Sequence, residues 1–118
     1  EEPMDEMEFL NHIKAALNAP MLRYTPLKGK HVKTIAFCGG SGSFLLPSAI
    51  GKQADVFISS DFKYHQFFDA ENQLVIADIG HYEAEICTKD LIYEILSEKF
   101  STFTLHFSKI ITNPVNYL

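Results

Sequence analysis

No apolar run in these 118 residues approaches the ~20 needed to cross a bilayer, and nothing at the start reads as a secretory signal. Cysteine is scarce. Cys38 and Cys87 are too few and too far apart for a disulfide framework, and both read as reduced thiols of a cytoplasmic protein. Positive charge is in deficit: the net charge of −5 argues against a broad electrostatic grip on nucleic acid. Internal repeats and low-complexity tracts are absent. So is an initiator methionine, for the chain opens Glu1-Glu2-Pro3-Met4-Asp5. That acidic opening reads as a linker over 1–4 or as a cut inside a longer protein, although Asp5 also suits the cap of a helix. What is present is ordinary for a globular protein: 47% apolar and 21% charged residues, enough for one domain with a real core over 1–118.

The order of elements predicts the fold class. Met7, Leu10, Ile13, Ala16 and Leu17 recur at helical spacing, so residues 5–18 are predicted as a helix that Asn18-Ala19-Pro20 stops. Residues 21–25 are a short strand candidate, and Lys28-Gly29-Lys30 a turn. Then a pattern repeats. Val32–Cys38, Asp55–Ser59 and Leu74–Asp78 read as strands, each followed by a small-residue turn and a helix. The helices are predicted over about ten residues after Ser43, over 61–70, and over 81–99. Residues 102–108 alternate strictly and predict a last, half-covered strand. Residues 111–118 are expected to form an extended tail packed on the body. Strand, turn and helix repeated three times predict an α/β layered sandwich with a largely parallel central sheet and helices on its faces.

Ligands of such sheets gather at the carboxyl ends of the strands, and three of those ends are polar. The first is Cys38-Gly39-Gly40-Ser41-Gly42-Ser43. Its glycines would let backbone N–H groups face an anion, or would simply make a tight turn. It is neither a Walker motif nor a dinucleotide fingerprint. The second, Ser59-Ser60-Asp61-Phe62-Lys63-Tyr64-His65, places Asp61 and His65 four apart, on one face if helical. Asp61 is equally suited to a plain helix cap. The third is Ala77-Asp78-Ile79-Gly80-His81-Tyr82-Glu83-Ala84-Glu85. His81 and Glu85 are again four apart at a predicted helix start, a spacing like that which lets two histidines of a zinc helix share an ion. Two acid–histidine pairs, each in the first turn after a strand, would meet if the strand ends are adjacent. Imidazole with carboxylate suits zinc, manganese or iron rather than calcium. The stripe Ala84, Cys87, Leu91 and Ile95 would be the buried face of the last helix. His12, His31 and His106 read as structural or solvated.

FCGGSGSFL, SSDFKYHQFFDA, ADIGHYEAE and TNPVNYL together resemble one family, the GTP cyclohydrolase 1 type 2 homologues, also called NGG-interacting factor three-like proteins. The likeness runs from about Glu8 to Leu118. It implies a larger α/β fold of which this chain is the C-terminal half, built around a dinuclear metal centre and often assembled as a toroidal hexamer. It implies that His81 and Glu85 are metal ligands. It also implies that Asp61 and His65, the aspartate and histidine of the family's Gly-Asp-x-x-x-His segment, line the site, with His65 as acid, base or substrate partner. Ser60 stands where many members carry glycine. The N-terminal half of the family supplies a His-His pair and an acidic residue, and no His-His dipeptide occurs here.

The expectation is therefore half of a metal-dependent hydrolase that acts on a nucleotide or other phosphorylated compound. Two divalent ions would be held by the intact subunit, and weakly or not at all by this piece, whose first partner would be its own N-terminal half. A non-catalytic metal-binding scaffold or regulatory ligand-binding module is the alternative. A nucleotide-binding module using Gly39–Ser43 is a third.

Overall fold

The computed structural model describes residues 3–118. Asp5 accepts hydrogen bonds from the backbone N–H groups of Met7 and Glu8, at 2.9 and 3.4 Å, and so caps helix α1 (Glu6–Ala16). Phe9, Leu10 and Ile13 form its buried stripe. Met7, expected there, is 39% exposed, and Glu6 is buried instead. The Glu6 carboxylate accepts from the N–H groups of Lys28 and Gly29, at 2.8 and 2.9 Å, which fixes the predicted turn against the helix. Met4–Asp5 (β1) pairs antiparallel with His31–Val32 (β3). Of the residues read as a linker, Met4 therefore lies in a strand, while 1 and 2 fall outside the described residues.

The main sheet has four strands in the order β2-β6-β5-β4. β4 (Ile35–Ser41), β5 (Val56–Ser60) and β6 (Val75–Asp78) are parallel; β2 (Arg23–Tyr24) is antiparallel to β6. This is the predicted mixed α/β architecture with a mostly parallel sheet. β5 and β6 are central and buried on both faces, which is why they read as unbroken apolar runs. Their side chains alternate between two cores. Val56, Ile58, Val75 and Ala77 pack with α1 on one face. Phe57, Leu74 and Ile76 pack with helix α2 (Leu46–Gly51) and the 3-10 segment Tyr64–Ala70 on the other.

Four expectations are corrected. The glycine stretch after Cys38 is not a loop: β4 runs through it to Ser41, with extra residues bulged out between Phe37 and Ser41. The helix behind it is shorter than predicted, a 3-10 turn (Ser43–Leu45) leading into α2. The segment after β5 is 3-10 rather than α, and begins only at Tyr64. The long last helix is divided at Ile86 into α3 (His81–Glu85) and α4 (Cys87–Lys99).

α4 buries none of its residues: Leu91 is 55% and Ile95 42% exposed, so only Ala84 of the expected stripe is covered. The reason is that α4 leaves the sheet and meets no second layer. Its departure also stretches the molecule, whose radius of gyration is 16.4 Å, against about 13.5 Å for a compact chain of this length. Residues 102–108 are not a strand, because no sheet edge lies beside them. They run along α4, where Phe107 packs edge-on against Tyr93 and under the Lys89 ammonium. Of the alternating apolar residues, Phe107 alone packs on α4, while Phe103 is exposed and packs edge-on against Phe100. No helix among the described residues is long and apolar enough to cross a membrane.

Candidate functional site

The carboxyl ends of β4, β5 and β6 are tied together by short polar side chains. The Ser59 hydroxyl donates to the Gly40 carbonyl at 3.0 Å, linking β5 to β4. The Ser60 hydroxyl donates to the Gly80 carbonyl, also at 3.0 Å, linking β5 to the turn after β6. Asp78, buried at the last position of β6, is the hub. One carboxylate oxygen accepts from the Phe62 N–H at 3.0 Å and from the Arg23 guanidinium; the other accepts from the Gly80 N–H at 3.2 Å. Arg23 also donates to the Phe62 carbonyl at 3.0 Å. One buried carboxylate thus sets the exit of both crossovers and recruits the antiparallel edge strand. A charge closing a buried apolar run was the sequence signal for it.

On this frame Asp61, His81 and Glu85 meet. Asp61 has φ +60°, a left-handed turn that throws its side chain back toward β4 and across to α3. It accepts from the Ser41 hydroxyl and lies 2.6 Å from Nδ1 of His81. Nε2 of the same ring is 3.3 Å from a Glu85 carboxylate oxygen. One turn of helix aligns these two groups, as the four-residue spacing predicted. Gly40 permits the close approach: with φ +65° and no Cβ, it leaves room for the Glu85 carboxyl, which any larger residue there would strike. The Ser41 hydroxyl and then the His81 ring hold the Asp61 carboxyl below its usual range. The Asp61 hydrogen bond in turn raises the imidazole of His81.

His65 is not brought into this group. Because Asp61 precedes the helical segment, and that segment is 3-10, a separation of four does not put the two on one face. His65 is exposed, with its ring against Tyr64. Of the Gly39–Ser43 stretch, residues 39–41 belong to the bulged strand β4, and Gly42 precedes the 3-10 turn that begins at Ser43.

A cavity of about 730 Å³ opens from the cluster, lined by Asp61, His81 and Glu85 at one end. Residues 112–115 and Tyr117 form its outer wall, so the tail does reach the body. Partial burial and the neighbouring Glu83 carboxylate push the Tyr117 phenol up. Arg23, Asp78, Glu83 and Tyr117 are the lining residues that sequence reasoning passed over; Asp78 and Glu83 lay within the quoted strand-end stretch and Tyr117 within the quoted ending, whereas Arg23 carried no signal.

With the His81 proton on Nδ1 toward Asp61, Nε2 and the Glu85 oxygen face each other as two lone pairs. A proton or a cation resolves that opposition. Two ligands about 2.1 Å from a tetrahedral ion stand about 3.4 Å apart, close to the separation seen, so the donor pair fits a divalent metal. Among the described residues, no three histidine, cysteine or carboxylate groups are gathered tightly enough to hold an ion by themselves.

The fold and site define a largely parallel α/β protein with an imidazole–carboxylate cluster at its strand ends. The chain belongs to the Duf34/NIF3 (NGG1p interacting factor 3) family, whose model matches residues 1–114. It is 35% identical over 114 residues to a GTP cyclohydrolase 1 type 2 homolog of Staphylococcus epidermidis, covering 93% of this chain and 31% of that protein. A homolog of the same name from Campylobacter jejuni is 43% identical over 74 residues, or 62% of this chain and 30% of that one. The chain thus spans about a third of the length of the curated relatives it matches. Among solved structures, Staphylococcus aureus protein SA1388 superposes with a TM-score of 0.84 at 30% identity, covering all of this chain and 40% of that one. A Bacillus cereus protein related to NIF3 gives 0.80 at 27% identity, covering all of this chain and 34% of that one.

Proposed function

We propose that this chain contributes half of a divalent-metal site to a hydrolase, with His81 and Glu85 as metal ligands and Asp61 as the residue that positions them. The observation that carries the reading is the 3.3 Å opposition of His81 Nε2 and the Glu85 carboxylate. Asp61 holds Nδ1 from behind, which fixes the tautomer and ring plane and makes Nε2 the better donor. When bound, a divalent ion supplies Lewis acidity toward water and toward an oxygen of the substrate. Asp78 and the serine pair keep the three strand ends in register. Residues 112–115 and Tyr117 of the tail line the cavity. Two side-chain ligands are too few for a firm site, and the remaining ligands belong to a part of the longer protein that the relatives possess. Nucleotides and other phosphorylated compounds are the substrates this reading favours.

Calorimetric titration with zinc or manganese tests it, run on this chain and on the full-length protein side by side. The full-length protein should bind firmly and hydrolyse a nucleotide or phosphate ester, this chain should bind weakly, and His81→Ala or Glu85→Ala should abolish both properties. Unchanged metal affinity in His81→Ala, Glu85→Ala full-length protein would refute the assignment of ligands. Firm metal binding without turnover would favour a scaffold or regulatory role.

A further inference from the structure

Successive residues of a strand point to opposite sides, and the two residues of β2 serve two different cavities. Arg23 lines the one at the strand ends. Tyr24 lines a second, of about 410 Å³, which shares no lining residue with the first. That volume lies in the range of small-molecule sites. Tyr64, Phe67 and Phe68, all from the 3-10 segment, wall it together with Tyr24, and the buried Leu74 adds apolar surface. Tyr64 and Phe68 hold each other edge-on at 5.4 Å, yet are 72% and 65% exposed, so the fold leaves most of their ring surface unused. Glu71 is the one charged residue among those described that line this cavity. It has φ +45°, in the left-handed turn that ends the 3-10 segment. Its carboxylate accepts one long hydrogen bond, from Gln73 at 3.4 Å, and makes no ion pair among the described residues. Phe67 already carries a cation, for the Arg23 guanidinium lies 5.3 Å from its ring centre. Tyr24, Tyr64 and Phe68 carry none among the described residues.

We propose that this second cavity binds a small organic cation of the trimethylammonium class, free in solution. Aromatic rings carry negative potential on their faces and attract a cation, most strongly one with a thin hydration shell. Four rings and one carboxylate, with no lining cation to oppose them, select positive charge. The methyl groups of such a head bury against the rings and Leu74, so the same wall supplies apolar contact. A trimethylammonium head has no N–H to aim, and its recognition needs no directed acceptor beyond the single carboxylate. The free cation suits the cavity better than a phosphocholine head, whose phosphate would meet the Glu71 charge. This inference is independent of the metal site: it uses none of the groups at the strand ends.

Equilibrium titration of the full-length protein, with chelator present, tests the proposal with three probes. They are choline, phosphocholine, and the uncharged isostere of choline in which a tert-butyl group replaces the trimethylammonium. The isostere matches choline in shape and lacks only its charge. Choline should bind about fivefold or more tightly than the isostere. Tyr64→Leu keeps an apolar side chain but removes a ring, and Glu71→Gln keeps the shape but removes the charge. Each should cut the preference at least about twofold, and Glu71→Gln should leave the affinity for the isostere unchanged. Both side chains are exposed, so neither substitution disturbs the core, and each stands in for the other if one fails to fold. Absence of choline binding, equal binding of choline and the isostere, or a preference kept in full by both variants would overturn the proposal. Phosphocholine binding more tightly than choline would overturn the assignment to a free cation.

Discussion

Replacing Gly40 with alanine puts a methyl group where the Glu85 carboxyl now lies. Two costs follow. At φ +65° an alanine backbone is about 1–2 kcal/mol less favourable than in the right-handed region. The new Cβ also collides with a Glu85 oxygen and sits 3.3 Å from both the Glu85 carboxyl carbon and the His81 ring. The Glu85 side chain is flexible and will swing away, so the collision is relieved at the expense of the His81–Glu85 pair. Gly39 is the internal control. Its φ is not left-handed, and the nearest atoms to a Cβ there are at 3.5 and 3.6 Å, ordinary contacts. Gly39→Ala should therefore be neutral or stabilising by about 0.4–1 kcal/mol, through the unfolded chain. In urea unfolding, Gly40→Ala should shift the midpoint down by about 1 M, taking an m-value near about 1.5 kcal/mol/M. Its zinc affinity should fall, while that of Gly39→Ala stays at the wild-type level. Equal midpoints and equal zinc affinities for the two variants would refute the argument that Gly40 is what admits the Glu85 carboxyl.

Asp61→Asn should return the His81 imidazole toward its ordinary range, read by NMR titration of the ring, because the hydrogen bond that raises it is lost. The sign follows from linkage: a raised His81 adds stability below its unfolded value of about 6.5, and that stability is lost as pH rises through the folded value. Urea midpoints of Asp61→Asn should accordingly show a shallower fall across that window than wild type, and metal uptake should begin at lower pH; identical profiles would contradict the link. Asp78→Ala strands the Phe62 and Gly80 N–H groups in a buried corner and should cost about 3 kcal/mol in urea unfolding; a loss under about 1 kcal/mol would mean Asp78 is not the hub. Ile76→Ala, in the centre of the sheet, should cost about 2–5 kcal/mol, whereas Ile95→Ala on exposed α4 should stay within about 0.5 kcal/mol; similar losses would show that α4 is covered in solution.

The parallel sheet was legible because β5 and β6 are buried on both faces, and double burial writes a continuous apolar run that no surface element imitates. The His81–Glu85 pair was legible for a related reason: a fixed helical period turns spacing into geometry. Asp61 was found for the wrong geometric reason. It reaches His81 through a left-handed turn, which the sequence gives no way to distinguish from a helix cap, so its pairing with His65 did not follow. The strand predicted over 102–108 failed because alternation says nothing of whether a sheet edge is available, and here the segment stays largely exposed, touching α4 through Phe107 and the Ser108 carbonyl. Arg23 and Asp78 come from elements 55 residues apart in the chain. Only the antiparallel register of a two-residue strand brings them together, and periodicity carries no information about that.

The donor roles of His81 can be read directly from long-range 1H–15N correlation spectra of its imidazole during zinc addition, a measurement that tolerates weak binding. The account predicts that the Nε2 signal moves to a metal-bound position while Nδ1 stays protonated toward Asp61, and that Glu85→Ala abolishes the change. Ring signals indifferent to zinc, or perturbed first at Nδ1, would contradict it.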